Sequence, residues 1–408
     1  MSSTWKALPL WALVEESRQA VEPAALGDEV MHYSIPGVDA TGTGHVEKSE
    51  TIKSAKLLLR GGEVLVSKLN PRKSRVVHVR SSAYPMVSST EFVGLRPSAM
   101  LDARFLGYLL QSESVRQYLD ARVQSVTRSH QRVNPSDITH MSIRVPSTEE
   151  QRRIADCLDA ETARIDAVAA KRREAKDLLI LKRGRIIDAE LGFDGRESIH
   201  DLVPLKFLVA QIVVGIVITP AKWYVENGGV PALRGLNVQP GRIIASDLVR
   251  ISDEGHGENL KSRLHTGDVV VVRTGQAGAA AVVPASLDGA NCVDLILVRP
   301  GSGLSPEYLE YVLNSDYVRE RVSEHAVGSI QAHFNVGAMK QIPVPSISRA
   351  QQDTIVHSLD EKVGRIDQLL GMIKTQETLL AERRSALITA AVTGQIDVST
   401  ASGRGIED

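Results

Sequence analysis

The sequence predicts an α+β protein built as a pseudo-two-fold tandem repeat: two mixed α/β modules, each followed by one long helix. Three observations lead there: a self-match at a spacing of about 200 residues, short β-branched runs punctuated by turn residues, and two long stretches with heptad spacing. At a spacing of 201, residues 134–189 lie on residues 335–390 without a gap and agree at 14 of 56 positions, among them Gln151/Gln352, Ile154/Ile355, Leu158/Leu359, and Arg164-Ile165-Asp166 on Arg365-Ile366-Asp367. Upstream, residues 96–116 match residues 299–319 at 9 of 21 positions, GEVLVSK (62–68) matches GDVVVVR (267–273), and LPLWALV (8–14) matches VPLKFLV (203–209). The last pair removes any reading of the N-terminus as a signal peptide, because an apolar targeting segment would not recur in mid-chain.

Each element follows in chain order. In the first module the runs at 64–67 and 75–79 are β-branched, bounded by Gly, Asn and Pro, and predict strands. Residues 101–119 carry apolar side chains at helical spacing, so the module is mixed rather than a pure barrel. After Pro146, Ser147 with Glu150 three residues on has the form of a capping box, and no proline follows through Leu191. One heptad seam of this helix holds Leu158, Ile165, Leu179 and Ile186, and the other Ile154, Val168 and Ala175. The second module repeats the plan, with strands at 269–272 and 281–283 and helical spacing at 304–322. In the second long helix, from about Ser346 to Thr393, Leu359, Ile366, Ile373, Leu380 and Leu387 fall at intervals of seven; the other seam mixes Ile355, Leu369 and Ala390 with Lys362, Gln376 and Arg383. At 1.5 Å per residue such helices reach about 65 Å, and a rod of that length needs a partner, most simply its own repeat. The expected domains are 1–146, helix and linker 147–199, 200–345, helix 346–394 and a tail 395–408.

Charge and composition narrow the function. The formal net charge is −1, with 48 basic and 49 acidic residues, which excludes a protein that holds nucleic acid by bulk charge. The first module carries 18 basic against 14 acidic residues and the second 13 against 16, while each long helix is balanced, 10 against 10 and 6 against 6. Two cysteines 135 positions apart argue against a disulfide scaffold or a zinc site and for a reducing cytoplasm. The apolar stretch 207–218 contains Gln211 and falls short of the roughly 20 residues that span a bilayer, so no membrane role is expected.

No catalytic signature is present: no GxxxxGK[ST], no GxGxxG between strand and helix, no HExxH, no GxSxG. Asn70-Pro71 is not the NPP(Y/F) tetrapeptide of amino-methyltransferases, and Glu63 with Lys68 lacks a third carboxylate for a nuclease site. No catalytic or metal-binding residue is expected. The cations Lys68, Arg72, Lys73, Arg75 and Arg80 form the densest basic cluster, on a loop after a strand; they read either as a solvated hairpin or as side chains reaching phosphates and guanine edges. The equivalent loop in the second module, 274–282, offers Gln276 and no cation, so the candidates there are Lys222 beside Trp223, Arg234, Arg242, Lys261, Arg263 and Arg273. The loops before the long helices add Arg128 and His130 in one copy and Gln331 and His333 in the other, as phosphate or base donors or as simple caps of the connection. Frame and helices repeat while loops diverge, as expected of a shared scaffold whose two loop sets read different things.

The repeat, GEVLVSK and GDVVVVR, the segments IRVPSTEEQRRIADCLDAETARID and IPVPSISRAQQDTIVHSLDEKVGRID, and the terminal ALITAAVTGQIDV together resemble the specificity (S) subunits of type I restriction-modification enzymes over essentially the whole chain. Two departures, IIDAELGFDG at the end of the first repeat and Arg349-Ala350-Gln351-Gln352 in place of the acidic Glu-Gln pair, lie in helix framework. The resemblance implies two target recognition domains, each reading half of a bipartite site in double-stranded DNA. It implies an antiparallel coiled coil that spaces them, and docking of two methyltransferase subunits that bring S-adenosylmethionine. Restriction subunits with ATP and Mg are an optional addition, and the chain itself would hold no cofactor. The rival is a coiled-coil scaffold with two protein-binding modules and no DNA role, which gives no reason for the basic cluster or for loop divergence over a retained frame.

Overall fold

The computed structural model describes residues 5–124, 131–194, 197–326, 334–396 and 398. Contacts divide the chain into two compact units, residues 1–172 with 374–408 and residues 173–373, so each boundary falls inside a long helix. The fold is α+β, and the same frame appears in both units.

In the first unit, Lys6–Pro9 pairs antiparallel with Ser142–Val145, and the buried Leu10 amide continues the register to the Met141 carbonyl at 2.9 Å. A four-stranded antiparallel sheet runs in the order Val14–Ser17, Phe92–Pro97, Val64–Ser67, Val76–His78. Its inner face, with Val64, Val66, Val93 and Leu95, packs against the helices Ala103–Gln111 and Glu113–Asp120, and the same core takes in Ile154, Leu158, Ile388, Ala391 and Val392 of the long helices. Full burial of such a side chain is worth about 1.5–3 kcal/mol, so the long helices belong to the cores of the modules. The opposite face supplies Leu65 to a second core beneath a five-stranded sheet, Ala20–Val21, Lys56–Leu59, Met86–Ser88, Glu29–Tyr33, His45–Lys48.

The second unit repeats the frame element by element. Leu202–Pro204 pairs with Pro343–Pro345, and the Leu205 amide meets the Ile342 carbonyl at 2.9 Å. The antiparallel sheet runs Val209–Val214, Leu295–Pro300, Val269–Val272, Ala280–Val282, covered by Pro306–Asn314 and Asp316–Ala326. Its core includes Ile187, Leu191, Leu359 and Val363. The other sheet differs: four short strands, Tyr224–Val225, Val249–Ile251, Val230–Leu233 and Asn291–Cys292, stand where the first unit has five.

The long helices span Thr148–Glu190 and Arg349–Val392. Both begin at capping serines: Ser147 Oγ accepts the Glu150 amide at 3.2 Å, and Ser348 and Gln351 exchange side-chain-to-backbone bonds as a full capping box. Glu150 instead accepts the Trp5 indole N–H at 3.2 Å. Within the second unit Arg183 bonds Asp367 at 2.9 Å and Glu190 pairs with Lys362, so one number falls as the other rises and the helices run antiparallel. Within the first, Arg384 meets Asp166 at 3.2 Å.

Of the seam residues, Ile154, Leu158, Ile165, Leu359, Ile366 and Ile373 are buried, and Leu179, Ile186, Ile355, Leu380 and Leu387 are half-buried. Val168 and Leu369 stand 44% and 47% exposed, off the packed face. The helical runs 101–119 and 304–322 each divide in two. Ser112 (ψ 150°) and Ser315 (ψ 149°) adopt extended backbone, accept the amides of Val115 and Val318, and donate back to the Leu109 and Val312 carbonyls, so one serine ends a helix and starts the next. Among the described residues no helix is long and apolar enough to cross a membrane.

Candidate nucleic-acid interface

The strand Val64–Ser67 delivers the chain into the turn that holds the basic cluster. Three segments meet at its foot: the Lys68 amide donates to the Glu91 carbonyl (2.8 Å), the Val133 amide to the Lys68 carbonyl (3.1 Å) and the Asn70 amide to the Gln131 carbonyl (2.7 Å). Arg132 pairs with Glu91 through both carboxylate oxygens (2.9 and 3.1 Å) and locks the junction. The turn is a single 3-10 helix, Pro71–Lys73, flanked by Asn70 (φ 50°) and Ser74 (φ 44°), both left-handed.

Lys68 is half-buried, Arg72 and Lys73 are exposed, and Lys73 Nζ lies 3.9 Å from Asp39. Arg75 is different. Its guanidinium grips Asp39 with Nε and Nη2 (Nη2 to Oδ2 2.8 Å), Nη1 donates to the Leu69 carbonyl (3.0 Å), and the side chain is only 7% exposed. Arg80 is exposed beyond the next strand, where its backbone amide bonds the Tyr33 hydroxyl; burial nonetheless pushes the Tyr33 phenol up. Thus Arg72 and Lys73 lie on the turn, Lys68 and Arg75 flank it, and Arg80 stands apart.

In the second unit Arg273 takes the place of Lys68. The Phe334 amide bonds its carbonyl (3.1 Å), its Nη1 pairs with Asp294 (2.7 Å) and its Nε donates to the Phe334 carbonyl (3.3 Å), which ties this arginine into the frame. Gln276 is exposed in the following turn. Lys222 lies over the buried Trp223 ring at 3.9 Å, a cation–π contact. Arg234 approaches Asp247 (3.9 Å), Arg242 donates to Gln239 (2.6 Å), and Lys261 and Arg263 are exposed on one further turn. The candidates of this unit are therefore dispersed over several turns. Arg128, His130, Gln331 and His333 lie outside the described residues.

The carboxylates that would tempt a nuclease reading have structural partners. Glu63, 1% exposed, accepts the Arg60 amide and Arg96 Nη2, both at 2.9 Å; burial alone would raise its carboxyl, but these donors outweigh it and hold it below the usual range. Asp268 repeats the arrangement with the His265 amide (2.7 Å) and Arg299 (2.8 Å). Among the described residues no group of three His, Cys, Asp or Glu side chains is placed to hold a metal ion.

Sequence reasoning missed the residues that fasten each module to its helix. Gln151 accepts the Asp102 amide (2.7 Å) and donates to the Met100 and Pro146 carbonyls (3.0 Å each), and Gln352 does the same with Ser305, Gly303 and Ile347. Tyr108 donates to Asp159 (2.7 Å) and Tyr311 to Asp360 (2.8 Å). The signal was present, since Gln151/Gln352 and Asp159/Asp360 are repeat identities.

Two units with one frame, each built around parts of the same two long helices and differing in the turns they present, define a duplicated scaffold. Residues 29–176 match the family model of the type I restriction modification DNA specificity domain. The chain resembles the specificity subunits of type I restriction-modification enzymes, and the part similar to their DNA specificity domain lies mostly in the first unit. The StySPI specificity subunit of Salmonella potsdam is 25% identical over 182 residues, which is 42% of this chain and 38% of that relative's length. A solved chain from work on complex assembly and conformational transition of the type I R-M system has a TM-score of 0.72 at 20% identity, covering 96% of this chain and 98% of its own, and so shares the fold. The HsdS subunit from Thermoanaerobacter tengcongensis aligns over 97% of this chain and 98% of its own at 20% identity, with a TM-score of 0.45.

Proposed function

We propose that this chain is the sequence-reading subunit of a type I restriction-modification complex, acting in the cytoplasm and contributing no catalytic step of its own. Residues 1–146 and 200–345 are target recognition domains, each reading half of a bipartite site in double-stranded DNA. The helices of 147–199 and 346–394 set the gap and dock two methyltransferase subunits, which bring S-adenosylmethionine; restriction subunits with ATP and Mg complete a cleaving form.

One observation carries this reading: the frame sheet, its capping helices and the helix fasteners recur in both units, while the second sheet and the turns beside it differ. A duplicated frame gives one chain the pseudo-symmetry that a dimeric DNA reader obtains from two. Divergent turns then let the two halves of the site differ in sequence. A scaffold that binds one protein partner twice would gain nothing from that divergence.

The test is a modified-base map of the source genome with and without the gene. Loss of N6-methyladenine from one motif of two short parts around a fixed gap is the expected result. An unchanged map, together with failure to co-purify a methyltransferase, would move the assignment to the protein-binding scaffold.

A further inference from the structure

Arg75 was expected to reach DNA, yet its guanidinium is occupied inside the module. Two of its nitrogens grip both oxygens of Asp39 and the third donates to Leu69, immediately before the turn. Arg75 itself lies immediately after the turn. Its side chain therefore joins the two feet of Pro71–Lys73 and ties them to the helix Ile35–Thr41.

That helix is a firm anchor. Ser34 caps it by accepting the Gly37 amide at 3.0 Å, Gly42 ends it in the left-handed region, and Ile35 and Val38 pack into the core beneath the five-stranded sheet. The turn needs an anchor, because both flanking residues, Asn70 and Ser74, hold left-handed backbone that a Cβ disfavours. At only 7% exposure Arg75 cannot touch a base, while its neighbours Arg72 and Lys73 are exposed on the turn. Among its described residues the second unit carries no counterpart: the equivalent turn has no cation, and Arg273 ties Asp294 to the frame instead.

We propose that Asp39 and Arg75 form a positioning clamp that holds the turn Pro71–Lys73 in the shape that reads one half of the DNA site. The clamp rests on the DNA-recognition reading above and adds to it an acidic residue, which no search for basic patches would find. Asp39 and Arg75 are positioning residues, and the contacts to DNA belong to the turn they hold.

The sign of a charge change separates this from simple electrostatics. Asp39→Asn raises the net charge by one, so attraction to phosphate alone predicts tighter binding with base preference unchanged. Arg75→Lys leaves the charge as it is but removes the two-pronged grip on Asp39, because an ammonium cannot match the guanidinium fork. The clamp predicts the same defect in both variants. Each is expressed with its methyltransferase subunits, the genome's modified bases are mapped, and co-purification and the thermal midpoint of the assembled complex are recorded.

Expected is a loss of discrimination of at least about tenfold at positions within one half of the motif, the scale of one well-placed base contact, with the other half and the gap unchanged and assembly intact. Unaltered base preference in both variants, or uniformly raised methylation in Asp39→Asn alone, overturns the clamp and leaves the DNA reading standing. Loss of assembly in both makes the pair merely structural and also overturns it. Should Asp39→Asn fail to fold, Arg75→Lys decides. A wild-type map with no two-part motif dependent on the gene fails the DNA reading itself, and the clamp with it.

Discussion

At the scale of single residues, the buried glutamines show how much of the frame depends on polar side chains at fixed places. Gln151 is 0% exposed and Gln352 3%, and each satisfies one amide and two carbonyls at the junction of module and long helix. Leucine has similar volume and none of these bonds, so Gln151→Leu strands three backbone groups. Destabilisation of about 2–4 kcal/mol is expected, read as a lowered midpoint of urea unfolding, and Gln352→Leu should repeat it in the second unit. Glu310 offers a pH test. Burial pushes its carboxyl up to about 7, reinforced by Glu307 and Asp360 and opposed by the Val282 amide and Arg183. A folded-state pKa above the ordinary carboxylate value means that the folded chain holds this proton more tightly than the unfolded chain. The penalty therefore develops as pH rises from about 4.5 to about 7 and is full above that. Glu310→Gln keeps an oxygen for the Val282 amide, 2.6 Å from Glu310 Oε2. In unfolding measurements the variant should exceed wild type at pH 8 and match it at pH 4; a variant weaker at pH 8 would show that the ionised form is the one the fold favours.

Among the elements, the long helices carry the sharpest prediction. Each unit holds its own fasteners, Gln151 and Asp159 in one and Gln352 and Asp360 in the other, while the handover between units falls at Arg172/Arg173 and Ile373/Lys374. Insertion of seven residues at both points keeps the heptad phase and cuts none of those contacts. If the helices set the gap, seven residues at 1.5 Å lengthen it by about three base pairs. A methylation map with the original gap would remove the ruler. These helices were legible because a period of seven is a local pattern, and the frame strands because β-branched runs between turn residues are local too. Which heptad seam is covered was not legible: Val168 and Leu369 keep the phase yet stand exposed, since burial depends on what packs alongside. Nor was the break within each capping-helix pair, as Ser112 and Ser315 interrupt no apolar pattern. The second sheet joins Met31 to Met86 in parallel and the clamp joins Asp39 to Arg75, pairings across long separations that no local signal specifies.

For the molecule as a whole, charge decides how the proposed reader would meet DNA. With 48 basic and 49 acidic residues the chain has no bulk attraction to phosphate, and many of its arginines are neutralised internally: Arg75 by Asp39, Arg96 by Glu63, Arg132 by Glu91, Arg273 by Asp294 and Arg299 by Asp268. Non-specific affinity grows with the number of phosphates neutralised, and its logarithm falls with the logarithm of salt at about 0.9 per contact. With a net charge of only −1, the isolated chain is expected to show a shallow dependence, with a slope magnitude below about 3 on a duplex of scrambled sequence between 50 and 200 mM salt. On the proposed reading, addition of methyltransferase subunits should steepen it, because most of the phosphate contacts would then come from them. The measurement is a fluorescence anisotropy titration of the lone chain and of the assembled complex on the same duplex. A lone-chain slope of about 6 or more, with affinity unchanged by the partners, would mean that the chain grips the backbone by itself and that its neutral net charge conceals a continuous basic track.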